Sequence, residues 1–207
     1  GNQQLKPERS FNIETGVEFN KYVGRTFKCV IQAALYKNRV KDQIRWLPKD
    51  NTTWSPENVI EVLSKGIELN ASINDLTYIH KLSANYRYGI SEKYKAEIED
   101  DETVGNQLPL LPREQYNINA QTGWRLLRMG INYSHVSFRY KTIDNKADQI
   151  LPSYQTVDTW AGFEFKLNKN NIRIFLAAEN LFNEDFQLVD GYPMPWRNYT
   201  LTLSSEL

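Results

Sequence analysis

The residues that could carry chemistry are few and do not converge. His80 and His135 are the only histidines, and neither has an acid and a serine placed around it as a nucleophile–base pair would need. His80 falls beside a short connection, where a structural role fits it. Cys29, the single cysteine, lies in an apolar stripe and reads as a small hydrophobe facing lipid. One cysteine excludes a disulfide framework and any zinc site built from several thiolates. The acidic run Glu97, Glu99, Asp100, Asp101 and Glu102 could gather a hard cation such as calcium, but it lacks the spaced EF-hand pattern, so a solvated loop is the simpler reading. Trp46 and Trp54 flank a polar stretch and could stack on a ligand or anchor at an interface. No nucleophile elbow, P-loop or glycosidase-type carboxylate pair is present. These residues predict no enzyme, no cofactor and no metal site; they leave binding or transport.

Composition narrows the partners. The chain has 207 residues, 25 Lys+Arg against 25 Asp+Glu, 41% hydrophobic and 13% aromatic residues. Balanced charge argues against a nucleic-acid partner, which would select a basic excess. Mean hydropathy is −0.59, and no window holds the ~18 consecutive apolar residues of a membrane helix. Gly1–Ser10 is polar and does not read as a signal peptide.

Periodicity supplies the elements. Segment after segment alternates apolar and polar residues with period two, the pattern of a strand with unlike faces. Phe11, Ile13, Thr15, Val17 and Phe19 oppose Asn12, Glu14, Gly16, Glu18 and Asn20. The same alternation puts Phe27, Cys29, Ile31, Ala33 and Leu35 on one face, and Ile67, Leu69, Ala71 and Ile73 on another, opposite Glu68. It recurs in Leu76–Tyr88, Tyr116–Trp124, Leu127–Tyr133, Val157–Leu167, Ile172–Ala178 (opposite Arg173 and Glu179) and Tyr199–Leu207. Nine strands are predicted, with Ser55–Ser64 as one possible short helix.

The connections alternate between short and long. Lys21–Arg25, Asn74–Asp75, the turn near Arg125 and Asn168–Asn171 are short; Asp42–Asn58, Ser91–Pro112, Lys141–Gln155 and Asn183–Arg197 are long. Outer-membrane β-barrels are connected this way, with tight turns at one rim and long loops at the other. Aromatic residues gather near strand ends, with Tyr22, Tyr78 and Trp124 toward the short turns and Tyr86, Tyr88, Tyr133 and Trp196 toward the long loops, as two interfacial girdles would. The predicted fold is all-β, an antiparallel up-and-down transmembrane barrel. An odd strand number cannot close a single-chain bacterial barrel, so the nine strands predict a portion of a larger one. A small autonomous barrel, porin-like or enzymatic, and a soluble β-rich binding domain are the alternatives.

Five motifs give the pattern a family. Leu5-Lys6-Pro7-Glu8-Arg9-Ser10 with Glu14-Thr15-Gly16, Lys65-Gly66-Ile67-Glu68, Leu110-Leu111-Pro112-Arg113, Asn180-Leu181-Phe182-Asn183-Glu184-Asp185-Phe186 and Gly191-Tyr192-Pro193-Met194-Pro195-Trp196-Arg197 occur in that order. Together they resemble the barrel of TonB-dependent outer-membrane receptors, nearest to those for vitamin B12 and catechol siderophores. Trp196 stands where such receptors usually have Gly, and the end departs from the usual aromatic pattern with Ser205 and Leu207. The resemblance implies that residues 1–207 are the C-terminal portion of a barrel of about 22 strands, with the plug domain and the earlier strands absent. It further implies residence in the bacterial outer membrane, contact with outer-membrane lipid, and energised import through the TonB complex of a scarce bulky nutrient: an iron–siderophore, haem, cobalamin or an oligosaccharide. The long connections would then bind ligand, with Trp46, Trp54, Glu99, Asp101, Tyr154 and Tyr192 as candidate contacts. Glu14, Glu18, Glu68, Arg173 and Glu179 would face the plug.

Overall fold

The computed structural model describes residues 2, 4–48, 53–75, 77, 80–95 and 100–206. The strands are β1 (Arg9–Val23), β2 (Phe27–Pro48), β3 (Trp54–Asp75), β4 (Lys81–Lys93), β5 (Glu114–Trp124), β6 (Leu127–Val136), β7 (Arg139–Tyr140), β8 (Ile150–Leu151), β9 (Tyr154–Leu167), β10 (Asn170–Glu179), β11 (Gln187–Val189), β12 (Tyr192–Pro193) and β13 (Asn198–Glu206). Nine of them form one antiparallel sheet in the order β1-β2-β3-β4-β5-β6-β9-β10-β13. Each strand pairs with the next along the chain once the small hairpins β7–β8 and β11–β12 are set aside. Among the described residues β1 and β13 are free edges of this sheet.

The register joins the nine alternating patterns into one surface. Directly opposed residues point to the same side of a sheet. The row Ile73–Leu82–Ala120–Ile131–Thr159–Ala178–Tyr199 crosses seven strands without a charge. Phe19 opposes Ile31, which opposes Ala71, and Phe163 opposes Ile174, which opposes Leu203. A register slip of one residue in any strand would have turned its apolar set to the other side; none has slipped.

Among the described residues, most of that apolar side has no protein against it. Val17 is 73% exposed and Leu203 67%, and the same face bares Phe163, Leu176 and Leu201. Among the described residues the buried apolar side chains are few, and several gather at the long-loop end, where Val62 and Leu108 pack with Leu111 and Ile143. A contiguous apolar face of this size is covered by something else in a folded protein, and a lipid bilayer is what suits a sheet with a wet reverse side.

The tight turns require unusual backbone. Gly24 takes φ +66° between β1 and β2, Arg125 φ 52° between β5 and β6, and Asn168 φ 58° between β9 and β10. Glycine and asparagine tolerate the left-handed region; arginine does so at a cost.

Several segments differ from the sequence reading. Asp42–Asn58 is not a long loop, and Ser55–Ser64 is not a helix: β2 and β3 continue pairing from Lys41–Glu61 out to Pro48–Trp54. Each has 22 residues, about 70 Å at strand rise, whereas a barrel strand needs only about 9–11 residues to cross a membrane. Past the bilayer both faces of a strand are wet, so alternation fades from the sequence while the hydrogen-bond ladder runs on. Trp46 and Trp54 therefore sit in paired strands near a hairpin tip. The strand predicted over Leu76–Tyr88 starts at Lys81; the Asp75 carboxylate accepts from Thr77 N–H (2.8 Å), and His80 C=O accepts from Asp75 N–H (2.9 Å), shaping the turn before it. Tyr22 opposes Lys28 on the polar side, so it is not part of an outward girdle, and Tyr78 lies outside the described residues. The loop Lys141–Gln155 holds β8, Asn183–Arg197 holds both β11 and β12, and Tyr154 is the first residue of β9.

Candidate functional site

The polar face of the sheet is the first part of the site. One row across it reads Glu18–Gln32–Asn70–Asn85–Asn117–Ser134–Thr156. Gln32 donates to Glu18 (2.9 Å), Asn85 to Asn70 (2.5 Å), and Asn117 to both Asn132 (2.6 Å) and Ser134 (2.9 Å). Amides both donate and accept, so this row offers either polarity to whatever lies against it. A groove of about 320 Å³ opens over Glu68, Asn70, Asn85, Arg87, Gln115 and Asn117. The alternation announced that these residues share a face. Nothing in the sequence announced that the amides fall in one row, because row membership depends on register across strands.

All five residues expected to face a plug lie on this side. Glu18 is held by Gln32, Glu68 lies 3.8 Å from Arg87, and Arg173 lies 3.1 Å from Glu164 and 3.4 Å from Glu206. Glu14 borders a second groove with Tyr36, Glu68 and Arg87, and Glu179 closes the outer end of β10 opposite Asn198. These pairs are half exposed and contribute little to stability one by one.

Three aromatic rings on this face occupy the space that a glycine leaves open. A Cβ on Gly130 would come 2.6 Å from the Trp160 indole, one on Gly66 2.6 Å from the Tyr36 hydroxyl, and one on Gly162 2.6 Å from the Phe175 ring. Gly66 is the glycine of Lys65-Gly66-Ile67-Glu68. That motif thus fixes a ring on the wet wall.

The other motifs are fastenings of the long-loop rim. Lys6 N–H donates to Asn58 Oδ1 (2.9 Å), and Asn58 Nδ2 returns a bond to Lys6 C=O (3.0 Å). Glu8 takes the N–H of Ile44 (2.6 Å), two residues beyond Asp42 with its φ of 53°. The Leu-Lys-Pro-Glu segment is thereby clamped to the extended β2–β3 hairpin. Arg113 donates to Gln107, whose side chain donates to Leu111 C=O (2.6 Å). Asn180, only 5% exposed and at φ 50°, donates to Glu184 C=O (2.8 Å) and Pro195 C=O (3.3 Å), and accepts from Glu184 N–H (2.8 Å). Asn183 accepts from Arg197 N–H (2.9 Å), and Arg197 donates to Leu181 C=O (3.3 Å). The last two motifs are thus two halves of one latch.

The long connections also hold one another. Gln107 N–H donates to Asn145 Oδ1 (2.7 Å) and Asn145 Nδ2 to Gln107 C=O (2.9 Å), a reciprocal amide pair between two loops. Arg139, 3% exposed, donates to Gln187 C=O (3.0 Å) and stands 5.1 Å from the Tyr154 ring, which stacks on Phe186 at 4.2 Å. Lys141 pairs with Asp190 (2.8 Å). Gln107 and Arg139 carried no sequence signal. Their role comes from contacts between loops far apart in the chain.

The candidate ligand contacts divide. Trp46 and Tyr192 are 63% and 66% exposed, and Trp54 is partly so. Tyr154 is engaged between Phe186 and Arg139. Asp101 is engaged as well: Lys93 lies 2.7 Å from it and Thr103 donates through both its hydroxyl (2.6 Å) and its N–H (3.0 Å), which hold its carboxyl far below the ordinary range. Glu97 and Glu99 lie outside the described residues. Deeper along the hairpin, the Arg39 guanidinium bonds Glu61 and holds that carboxyl below its usual value, with Tyr94 stacked 4.9 Å from Arg39.

A sheet with a wet face, an uncovered apolar face and every long connection at one rim is the wall of a transmembrane β-barrel. The chain belongs to the TonB-dependent receptor-like β-barrel family, whose model matches residues 1–181. That family is made of outer-membrane transport receptors. Among solved structures, the chain is similar to the ferric preacinetobactin receptor of Acinetobacter baumannii (19% identity, TM-score 0.72), covering 96% of this chain and 30% of that one. It is also similar to a ferric citrate transporter (17%, TM-score 0.72, covering 96% and 31%) and to the ferric yersiniabactin uptake receptor of Yersinia pestis (21%, TM-score 0.65, covering 94% and 28%). The chain spans under a third of the length of these three receptors.

Proposed function

We propose that residues 1–207 form the C-terminal portion of a roughly 22-stranded barrel in a TonB-energised uptake receptor of the bacterial outer membrane. Its cargo is a scarce bulky nutrient, and an iron–siderophore is the class we favour over haem, cobalamin or an oligosaccharide, as several similar solved receptors are named for ferric chelates, although another is a copper transporter. The observation that carries the reading is the register: nine apolar faces merge into one uncovered surface, with a continuous amide row on the reverse. In this reading the exposed Trp46, Trp54 and Tyr192 meet the ligand at the outer rim, while Tyr154 and Asp101 shape the loops that present them. Glu14, Glu18, Glu68, Arg173 and Glu179 meet the plug across the wet face.

Uptake of labelled ferric siderophores into cells expressing the full receptor, with and without a working TonB complex, tests this. Accumulation that depends on TonB supports the reading. Ion conductance in planar bilayers without any energised uptake would instead favour a passive porin-like channel.

A further inference from the structure

The apolar face of the sheet is not smooth. Across β5, β6 and β9 it sinks into a hollow of about 210 Å³ lined by Ala120, Thr122, Met129, Ile131 and Thr159. The register brings these residues together: Ala120 opposes Ile131, Ile131 opposes Thr159, and Thr122 opposes Met129. The small side chains of Ala120 and Thr159 leave the space, while Ile131, Met129 and Leu82, which opposes Ala120, are bulkier and exposed around it. Thr159 spends its hydroxyl on the Gly130 carbonyl (3.0 Å). No lining residue is charged.

One end of the hollow is polar. Thr122 shares a hydrogen bond with His80 Nδ1 (2.7 Å). A hydroxyl and an imidazole are costly in hydrocarbon, but they suit the depth at which lipid ester groups lie. Trp124, 68% exposed and with the Arg125 guanidinium 4.9 Å from its ring, marks the interface at the short-turn rim. Thr122 is one same-face step inward of Trp124, about 7 Å at strand rise, and Ala120 is two steps, about 14 Å. The polar pair thus falls near the ester layer and the rest of the hollow within hydrocarbon. A void there forfeits dispersion contacts along its lining, and the matter that surrounds it is lipid. We propose that the hollow seats one acyl chain of a glycerophospholipid from the leaflet at the short-turn rim. The ester group lies beside the Thr122–His80 pair, and the chain runs over Ala120 and Thr159. The seat continues the lipid-facing surface and rests on the membrane reading above. With no charged lining residue, it selects a chain and is indifferent to headgroup charge.

The test uses the full receptor chain inserted into vesicles of mixed phosphatidylethanolamine and phosphatidylglycerol. The receptor is released into mild detergent, and native mass spectrometry reads the phospholipid it retains. Heat-modifiable gel mobility reports insertion independently. Wild type should carry a retained phospholipid drawn from both headgroups in the proportion of the vesicle. Ala120→Phe fills the hollow with a lipid-compatible ring and should lower retention several-fold. Thr122→Val removes the polar end and should weaken retention as well. Leu35→Phe, an equally apolar change at an exposed position on β2, should retain lipid like wild type. An inserted wild type that retains no phospholipid overturns the proposal, as does an inserted Ala120→Phe receptor that retains it unchanged; either leaves the barrel reading standing. Retention that follows phosphatidylglycerol alone would mean a headgroup site and also overturn it. Failure of wild type to insert would overturn the membrane reading, and the proposal with it. Should Ala120→Phe fail to insert, Ala120→Leu decides by the same loss of retention.

Discussion

At the scale of single residues, the family motifs turn out to be positioning devices. Gly130 illustrates the wall. With a Cβ 2.6 Å from the Trp160 ring, Gly130→Ala is expected to destabilise the folded barrel by about 1–3 kcal/mol, the usual cost of overpacking. In a Trp160→Ala background the same substitution should be close to neutral, because the three nearest atoms to the added Cβ all belong to Trp160. Denaturant unfolding in detergent micelles, run as a double-mutant cycle, measures both. Asn180 illustrates the rim. Its side chain serves Glu184 and Pro195 from a buried, left-handed position. Asn180→Ala leaves buried backbone groups unpaired at about 1–3 kcal/mol each. The expected result is faster proteolytic cleavage within 183–197, with the rest of the barrel intact. Asn180 stands in a motif and can be singled out from sequence; its bond to Pro195 cannot, because that partner belongs to a second motif more than ten residues away.

At the scale of elements, loops that look independent in the sequence are tied in pairs. Asn145→Ala removes both bonds to Gln107. Amide hydrogen exchange should then rise in 100–113 as well as in 141–149, whereas independent loops would show the rise only around residue 145. The Asp101–Lys93 contact adds a pH dependence with a definite sign. A carboxyl whose pKa is depressed in the folded loop stabilises it at every pH above its unfolded value, and that contribution is lost as pH falls toward the folded value. The loop should therefore stay protected at neutral pH and through mild acid, and loosen only when pH drops below the ordinary carboxylate range. Lys93→Gln should move the loosening to higher pH. Hydrogen exchange followed from neutral to acid pH reads both. The membrane-crossing parts of the strands are legible because lipid and water impose unlike faces. The outer halves of β2 and β3 are not, since water on both faces leaves the ladder without a sequence signature, and this is why Trp46 and Trp54 read as loop residues in the sequence alone.

At the scale of the whole molecule, the central claim is that one side of the sheet meets lipid and the other meets water. Charge scanning follows from it. Leu176→Arg on the apolar face is expected to cost about 2–4 kcal/mol near mid-bilayer and to lower the folded fraction in vesicles, whereas Thr202→Arg on the polar face should fold as wild type. Amphipathicity was fully present in the alternation, but the joining of nine faces into one surface, and of scattered asparagines into one row, required the register. The most direct measurement is a nitroxide scan along Ile172–Glu179 of the receptor in vesicles, comparing collision with oxygen, which concentrates in lipid, against a water-soluble nickel chelate. The account predicts strict alternation: Ile172, Ile174, Leu176 and Ala178 accessible to oxygen, and Arg173, Phe175, Ala177 and Glu179 showing the lower oxygen access of a face turned from lipid. Equal access of the nickel chelate to the first set would contradict it, because the apolar face would then be standing in water.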